Sequence, residues 1–256
     1  MQWCHAGRVV VRGAVTVGRE SWQSEAMADD DKLDRIVQAR MKLRNRFLGE
    51  MDRSPSLADD EPLGTGPRNR HGMPQLPPDQ YETRKWPVLD LGMKPTIPRE
   101  RWHLNVDGAV RRPLRLTWDD FMALEQVEDT SDFHCVTKWS RMDVPWRGVR
   151  MSDILAAAEP DEGAAFLMCH AHDGYTTNLP LAEALKPDVL LVHTADGVPL
   201  PLEHGGPVRV ITPQLYAWKG AKWIKRLEVM TADRLGFWEE RGYSNTAYPW
   251  RNDRYS

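Results

Sequence analysis

Cysteine is scarce in this chain of 256 residues, which contains only three. Cys4, Cys135 and Cys169 cannot all pair, no two of them have CxxC spacing, and no cysteine–histidine cluster has the spacing of a zinc finger. The composition therefore excludes a disulfide scaffold and a typical structural zinc domain. A single cysteine is most often a small buried hydrophobic residue, so any other role needs independent support.

Long apolar runs and a strong net charge are also missing. No stretch approaches the ~18 apolar residues that a membrane-spanning helix needs, so we expect no membrane span. The formal net charge of −3 gives no reason to expect nucleic acid as a partner. The N-terminal segment has arginines inside its short apolar patch and no recognisable export signal, which predicts a cytoplasmic protein.

Nucleotide-binding loops are absent as well. Neither GxGxxG nor the P-loop pattern GxxxxGKS/T occurs, so the common phosphate loops of nucleotide enzymes have no support. Tryptophan, in contrast, is plentiful: the chain has eleven, and nine of them lie between Trp86 and Trp250. Because tryptophan is large, flat and amphipathic, it can line a deep pocket as well as fill a core.

The first 75 residues differ in composition from the rest of the chain. At about residues 30–48, aspartates come first, basic residues come last and apolar residues recur at helical spacing, which predicts one helix. The stretch after it is rich in proline, glycine and charge and is interpreted as a linker. We therefore expect an N-terminal arm, residues 1–75, and one domain, residues 76–256. Met27 is a candidate translation start, which the intact mass of the native protein would test.

Beyond about residue 81 the chain consists of short apolar runs separated by turn residues. Residues 102–110 alternate like a strand, and Thr117 has the position of a helix N-cap. Residues 151–159 predict another short helix, with Ser152 as its cap. Many short strands with few helices favour an α+β domain over a doubly wound sheet.

Two loops carry more functional groups than a core requires. One is CVTKWS, which begins at Cys135 and is followed by PWRGV. The other is HGGPVRVITPQLYAWKGAKWI, residues 204–224, in which basic side chains alternate with aromatic rings. A strand start and a glycine-containing turn can bring Arg209 and the lysines together, so the pattern predicts a phosphate-bearing ligand with a flat ring system. The alternative is that these charges are solvated at the surface.

These loops, the segment LPPDQYETRKWPVL before them and GFWEERGY after them resemble, in the same order, segments of the sulfite oxidase-like molybdopterin oxidoreductases. The resemblance runs from about Leu76 to Ser256. It is greatest to the small single-domain bacterial branch, which includes catalytic subunits of methionine-sulfoxide reductases. It implies the sulfite oxidase-type α+β fold of mixed sheets with short helices, and a molybdenum cofactor bound through molybdopterin.

The resemblance also implies roles for individual residues. Cys135 would be the thiolate ligand of molybdenum, a metal that soft ligands suit, with hydroxyls of Thr137 and Ser140 near its sulfur. Tyr243 would lie on the substrate side, where a phenol can donate a hydrogen bond or pass a proton. The candidate cofactor-binding residues are Arg84, Trp86, His170, His204, Arg209, Lys219, Gly220, Ala221 and Lys222. The simpler alternatives are a structural histidine at position 170 and an additional packed ring at position 243.

The implied function is oxygen-atom transfer on a small substrate such as sulfite or a sulfoxide. Electrons would be exchanged with an external carrier, a cytochrome or a membrane haem subunit. Animal sulfite oxidases have an arginine shortly after the cysteine, where this chain has Ser140 or Arg141, and a C-terminal dimerisation domain that has no counterpart here. We therefore expect less fixed positive charge around a small anion, and a monomer rather than a dimer. The alternatives are a non-catalytic molybdopterin carrier and a cofactor-free binding module on the same scaffold.

Overall fold

The computed structural model describes residues 19–51 and 61–256. Cys4 and the first part of the predicted linker, residues 52–60, lie outside the described residues. The helices are α1 (Arg19–Met51), α2 (Trp118–Ala123), α3 (Met151–Ala158) and α4 (Leu181–Ala184). The strands are β1 (Thr65–Arg68), β2 (Pro74–Leu76), β3 (Tyr81–Glu82), β4 (His103–Gly108), β5 (Leu114–Thr117), β6 (Val127–Cys135), β7 (Trp139–Arg150), β8 (Phe166–Ala171), β9 (Thr176–Pro180), β10 (Leu190–Ala195), β11 (Val198–Pro199), β12 (Arg209–Ile211) and β13 (Ile224–Met230). Over these two ranges, none of the helices combines the length and the apolar character needed to cross a bilayer.

One sheet has six strands and contains the predicted cysteine loop. Its main path is β11-β10-β7-β3, with β12 paired to β10 and β6 paired to β7. β6 and β7 form an antiparallel hairpin in which Cys135 lies opposite Trp139. β3 pairs in parallel with the start of β7, so Tyr81 lies opposite the same Trp139. The segment around residue 81 is thereby held beside the cysteine hairpin.

The second sheet has five strands in the order β5-β4-β13-β8-β9. β4 and β13 are parallel, and the other pairs are antiparallel. β4 corresponds to the strand predicted at residues 102–110 and ends at Gly108, whose φ is +87°. A Cβ there would lie 2.2 Å from the carbonyl oxygen of Val229 on β13, so only glycine fits. The mixed sheets with short helices match the predicted α+β class.

The helix caps follow the sequence at one position and depart from it at another. Thr117 caps α2: its Oγ1 accepts from the backbone N–H of Asp120, and the Asp120 carboxylate accepts from the Thr117 N–H in return. The prediction that Ser152 caps α3 was wrong, because the helix already begins at Met151. The Met151 N–H donates to the carbonyl of Val189, so this helix end is satisfied from the adjoining loop instead.

Helix α1 packs onto the domain. It extends beyond the predicted residues 30–48 at both ends, and apolar residues of one face contact the main core: Leu33, Ile36, Val37 and Met41. Lys32 Nζ donates to the Gly92 carbonyl (2.5 Å), and Arg44 donates to the carbonyls of Gly242 (3.2 Å) and Ser256 (3.0 Å). The hairpin β1–β2 lies within the predicted linker. The domain boundary at residue 75 stays a prediction, but the parts on either side of it are in contact.

Candidate active site

Cys135 is the last residue of β6 and precedes a three-residue hairpin loop. Lys138 closes this loop in the left-handed region, with φ +71°, as such loops require. The Cys135 side chain is 5% exposed, and its Sγ lies 3.1 Å from Thr137 Oγ1. The Ser140 hydroxyl, in contrast, donates to Gln80 Oε1 (3.2 Å) and lies 2.8 Å from His134 Nδ1. Of the two hydroxyls predicted near the sulfur, Thr137 is the one that contacts it.

With no metal bound, the surroundings of Cys135 favour the protonated thiol. Burial raises its pKa, while the hydrogen bond with Thr137 and the positive charges of Arg40 and Arg254 lower it. A thiol that coordinates a metal loses its proton outright. Among the described residues, no group of three or more histidine, cysteine, aspartate or glutamate side chains could hold a metal ion. A metal at Cys135 would therefore need most of its ligands from a cofactor, as the resemblance implies.

Cys135 lines a cavity that is partly open to solvent. Ligand sites are typically concave and lined mainly by apolar and aromatic side chains with a few polar groups, and this cavity has that character. Seven of the predicted site residues line this cavity: Trp86, Cys135, His204, Arg209, Gly220, Lys222 and Tyr243. They come from segments far apart in the sequence, and the fold brings them together.

Two cations line one part of the cavity, which we call the cation end: the buried Arg209 and the half-buried Lys222. Arg209 is 3% exposed and donates to the carbonyls of His204 and Gly220, each at 3.1 Å, while Lys222 Nζ donates to the Glu203 carbonyl at 2.7 Å. Burial lowers the pKa of Arg209 to about 10. Burial and the adjacent Arg209 lower that of Lys222 to about 7.

No carboxylate of the described residues lies within 4 Å of either cation, so the hydrogen bonds that they make are to neutral carbonyls. Buried charges are ordinarily paired, so this end of the cavity has the character of an anion site. The backbone also approaches closely here: a Cβ on Gly220 would lie 2.6 Å from the Val210 carbonyl oxygen. Both observations fit the phosphate of a pterin cofactor.

Aromatic rings form much of the wall of the cavity that Cys135 and the two cations line. Trp86 stacks on the His204 imidazole, with ring centroids 3.9 Å apart and planes 8° from parallel. Burial, together with the charges of Arg209 and Lys222, lowers the pKa of His204 to about 4, so the imidazole is neutral at pH 7. The Arg209 guanidinium lies 5.0 Å from the Phe133 ring centroid. These flat walls suit a planar ring system, and the residues present therefore fit molybdopterin.

Tyr243 lies at the Cys135 side of the cavity, which we call the thiol end. Its ring stacks on Trp238 (5.0 Å) and meets Trp218 (5.1 Å) and Tyr255 (4.9 Å) edge-on. Burial raises the pKa of Tyr243 well above its usual value. The phenol is therefore protonated at physiological pH, and it can donate a hydrogen bond.

The four other predicted site residues do not line this cavity. Lys219 is fully buried, with its Nζ 2.7 Å from Glu239 Oε1 and 2.9 Å from the Asn178 carbonyl oxygen, an arrangement of the core. Ala221, next to it, is also fully buried. His170 lies on β8, with its Nε2 2.8 Å from Glu228 Oε2. The fourth, Arg84, is exposed.

The fold also brings to the cavity residues that the sequence interpretation missed, above all Arg40 of α1. Asp90 and Asp173 line it as well. Arg40 carries a signal in the sequence, because it lies on the apolar stripe of its helix, four residues after Ile36 and three after Val37. The two aspartates lie in loops and have no comparable periodic signal.

Comparison with known proteins shows the family of this chain. Residues 91–238 match the oxidoreductase molybdopterin binding domain. The chain is 41% identical over 183 residues to YuiH, an uncharacterized oxidoreductase of Bacillus subtilis (strain 168), covering 71% of this chain and 92% of the relative. It is 30% identical over 155 residues to MsrP, a protein-methionine-sulfoxide reductase catalytic subunit of Gluconobacter oxydans (strain 621H), covering 54% of this chain and 49% of the relative. The chain thus spans about half the length of that relative.

Among solved structures, the sulfane dehydrogenase SoxCD from Paracoccus pantotrophus has a similar fold. The TM-score is 0.51 at 21% sequence identity, covering 55% of this chain and 41% of that chain. At this identity the similarity shows the fold alone, and it confirms the predicted sulfite oxidase-type fold class. Since the family match covers more than half of the chain and the Bacillus relative aligns over almost its whole length, the chain belongs to the oxidoreductase molybdopterin binding domain family, as an oxidoreductase of the sulfite oxidase type.

Proposed function

We propose that this protein catalyses oxygen-atom transfer at a sulfur atom, with molybdenum and molybdopterin held in the cavity and Cys135 as the protein ligand of the metal. One observation carries the proposal: a buried thiol, the buried Arg209 and the half-buried Lys222 line the same cavity, and no carboxylate of the described residues lies within 4 Å of either cation. This arrangement brings a soft metal ligand and an anion site together in one cavity.

The residues of the chain would divide the work. Arg209 and Lys222 would bind the phosphate of the cofactor, with the backbone of Gly220 close by. Trp86, stacked on the neutral His204, would cover the pterin rings and exclude water. When bound, the cofactor supplies the two-electron redox chemistry, and the protein supplies orientation and electrostatics.

We propose a sulfoxide as the substrate, in the direction of reduction. Two relatives support this choice by their names, the catalytic subunit MsrP and YedZ1 of Azospira oryzae (strain ATCC BAA-33 / DSM 13638 / PS), a putative protein-methionine-sulfoxide reductase subunit. The protonated Tyr243 hydroxyl at the thiol end would donate to the substrate oxygen. Sulfite is a second candidate, because Arg40 adds a positive charge to the same cavity.

Electrons would come from an external carrier, a cytochrome or a haem-containing subunit. The relatives named as subunits support a protein partner of this kind. The exchange would be in single-electron steps, whereas the reaction at the substrate is a two-electron change.

Metal and pterin analysis of protein made in a host that synthesises molybdopterin tests the proposal. We expect stoichiometric molybdenum and pterin in the wild type, loss of molybdenum and of dye-coupled sulfoxide reduction in Cys135→Ala, and retention of both in Cys169→Ala. Cys169 is the matched control because it is fully buried in the core on β8. Cofactor without turnover of any sulfur substrate would indicate a carrier protein instead, and absence of both metal and pterin would indicate a cofactor-free binding module.

A further inference from the structure

An arginine of helix α1 lies in the active-site cavity without a counter-ion. Arg40 lines the cavity together with Cys135 and Tyr243, and its side chain is half-buried. Across residues 19–51 and 61–256, no carboxylate comes within 4 Å of its guanidinium, and no hydrogen bond from it is found. A half-buried guanidinium carries five N–H donors, so an unpaired one in a cavity is suited to an incoming acceptor.

The position of Arg40 in its helix is unusual for a charged residue. Ile36 and Val37, one turn earlier, pack against the core, and Met41 does so just after it. A charge on such a face loses hydration, which is unfavourable unless it finds a partner. Arg35, on the opposite side of the same helix, is exposed. Arg35 and Arg40 therefore have the same charge and lie on the same helix, but Arg40 lines the cavity and Arg35 is exposed.

Contacts on both sides of Arg40 hold this part of α1 against the domain. Before it, Lys32 donates to the Gly92 carbonyl, and after it Arg44 donates to the carbonyls of Gly242 and Ser256. Gly242 precedes Tyr243 and has a φ of +84°, and a Cβ on it would lie 2.7 Å from Arg44 Nε. The helix that presents Arg40 is thus attached directly to the turn that presents Tyr243.

The charge of Arg40 gives the thiol end a positive sign. It acts on the Cys135 thiol and on the hydroxyls of Tyr243 and Tyr255. The carboxylates that line the cavity, Asp90 and Asp173, act instead on Lys222 at the cation end. The two aspartates therefore act on Lys222 from beyond 4 Å, whereas the positive charge of Arg40 acts on the thiol end.

We propose that Arg40 binds the negatively charged oxygen of the substrate, so that α1, outside the matched family domain at residues 91–238, is part of the active site. This inference rests on the proposed function. The substrate class is a sulfur compound whose oxygen carries negative charge, an oxyanion or the polarised oxygen of a sulfoxide. A guanidinium can donate two N–H bonds to such a group, and Tyr243 can donate a third from the other side.

Steady-state kinetics of the cofactor-loaded enzyme test this role, with Arg35→Gln as the matched control for Arg40→Gln. For sulfite and for dimethyl sulfoxide we expect KM to rise about tenfold or more in Arg40→Gln, with a larger effect for the anion, since a charge–charge interaction is lost. The kcat should change much less than KM, because the lost contact is made with the bound substrate in both states. Arg35→Gln should match the wild type, and Arg40→Lys should recover part of the loss.

A second measurement does not depend on turnover. In full-length protein made without molybdopterin, Cys135 is alkylated with iodoacetate, an anion, and with iodoacetamide, its neutral analogue, and followed by peptide mass spectrometry. Both reagents need the same thiolate, so the ratio of their rate constants reports the local charge. We expect this ratio to fall about tenfold in Arg40→Gln and to stay unchanged in Arg35→Gln.

Two results would overturn the proposal. An unchanged KM and alkylation ratio in Arg40→Gln would show that the arginine does not act on the thiol end. Loss of pterin from Arg40→Gln would show that it binds the cofactor instead of the substrate. A wild-type protein without molybdenum or turnover would contradict the proposed function, and in that case the alkylation ratio still decides whether Arg40 faces Cys135.

Discussion

Lys219 and Lys222 are three residues apart in the sequence, but a carboxylate pairs with the first and a neutral carbonyl accepts from the second. Lys219 is fully buried, with a carboxylate oxygen of Glu239 at 2.7 Å and the Asn178 carbonyl at 2.9 Å. Lys222 is half-buried, and its Nζ donates to a neutral carbonyl, that of Glu203. The first lysine completes the core, whereas the second is short of negative charge. The pairing with Glu239 favours a structural role for Lys219, whereas we propose Lys222 as a ligand-binding residue because no carboxylate of the described residues pairs with it.

The largest effect is expected from breaking the core pair. Lys219→Met would leave Glu239 buried without its partner, and such a loss typically costs about 3–5 kcal/mol of unfolding free energy. Urea denaturation of the variant and the wild type measures it. The double variant Lys219→Met/Glu239→Gln should recover part of the loss, since both charges are then removed. A single variant as stable as the wild type would contradict the assignment of Lys219 to the core.

Replacing Lys222 should weaken cofactor binding without lowering the unfolding free energy, the reverse of what we expect at Lys219. In Lys222→Met, we expect pterin retention to fall about tenfold or more, because a charge-assisted contact to the phosphate is lost. The unfolding free energy of the cofactor-free protein should stay the same or rise, because an uncompensated buried charge is removed. Fluorescence of the released, oxidised pterin and urea denaturation measure the two effects. If Lys222→Met is destabilised but keeps its pterin, Lys222 is a structural residue like Lys219.

The pH dependence of the unfolding free energy tests whether the pKa of Lys222 is lowered in the folded protein. The pKa of Lys222 in the folded protein, about 7, is below that of an unfolded lysine, ~10.4. Between these values the unfolded chain binds more protons than the folded one, so the unfolding free energy of the cofactor-free protein rises with pH, by at most ~1.4 kcal/mol per unit. Subtracting the profile of Lys222→Met isolates this contribution. Equal slopes in the two proteins would argue against a depressed pKa.

The smallest effect is expected at a partly exposed pair with the same N···O distance, Lys186 and Glu183. Lys186 Nζ lies 2.7 Å from Glu183 Oε2, the distance found for Lys219 and Glu239, but the lysine is 29% exposed. Lys186→Met should therefore cost only about 0.5 kcal/mol, and added salt should reduce this further. Denaturation at low and high salt checks it. A loss similar to that of Lys219→Met would show that burial is not what separates the two pairs.

Much of the fold follows from local sequence patterns. The alternation at residues 102–110 predicts β4, and the N-cap at Thr117 forms as expected, because both depend on neighbouring residues. The cap at Ser152 was wrong because a loop carbonyl, from Val189, satisfies the start of α3. Helix α1 was predicted too short, since its contacts with the domain involve residues remote in sequence, such as Gly92 and Gly242.

The residues of the candidate site were also predicted only in part from local sequence patterns. The motifs identify the loops of Cys135, Arg209 and Lys222, and all three residues line one cavity. Within KGAK the resemblance favours Lys222 over Lys219 as a cofactor contact, but both lysines were predicted to bind, and Lys219 does not line the cavity. The difference comes from Glu239, which the tail brings to one lysine only. Arg40 was missed because nothing in its own helix shows which part of the domain it faces.

By itself, the sequence determined the family, the α+β class and the loops that carry the thiol and the cations, since motif order, periodicity and capping are properties of neighbouring residues. Only the tertiary structure decided which buried cation is neutralised and which is left for a ligand, and only it placed Arg40 beside Cys135 and Tyr243. The physical reason is that burial and charge pairing depend on distances between side chains remote in the chain, and these distances exist only after the two sheets and α1 have come together.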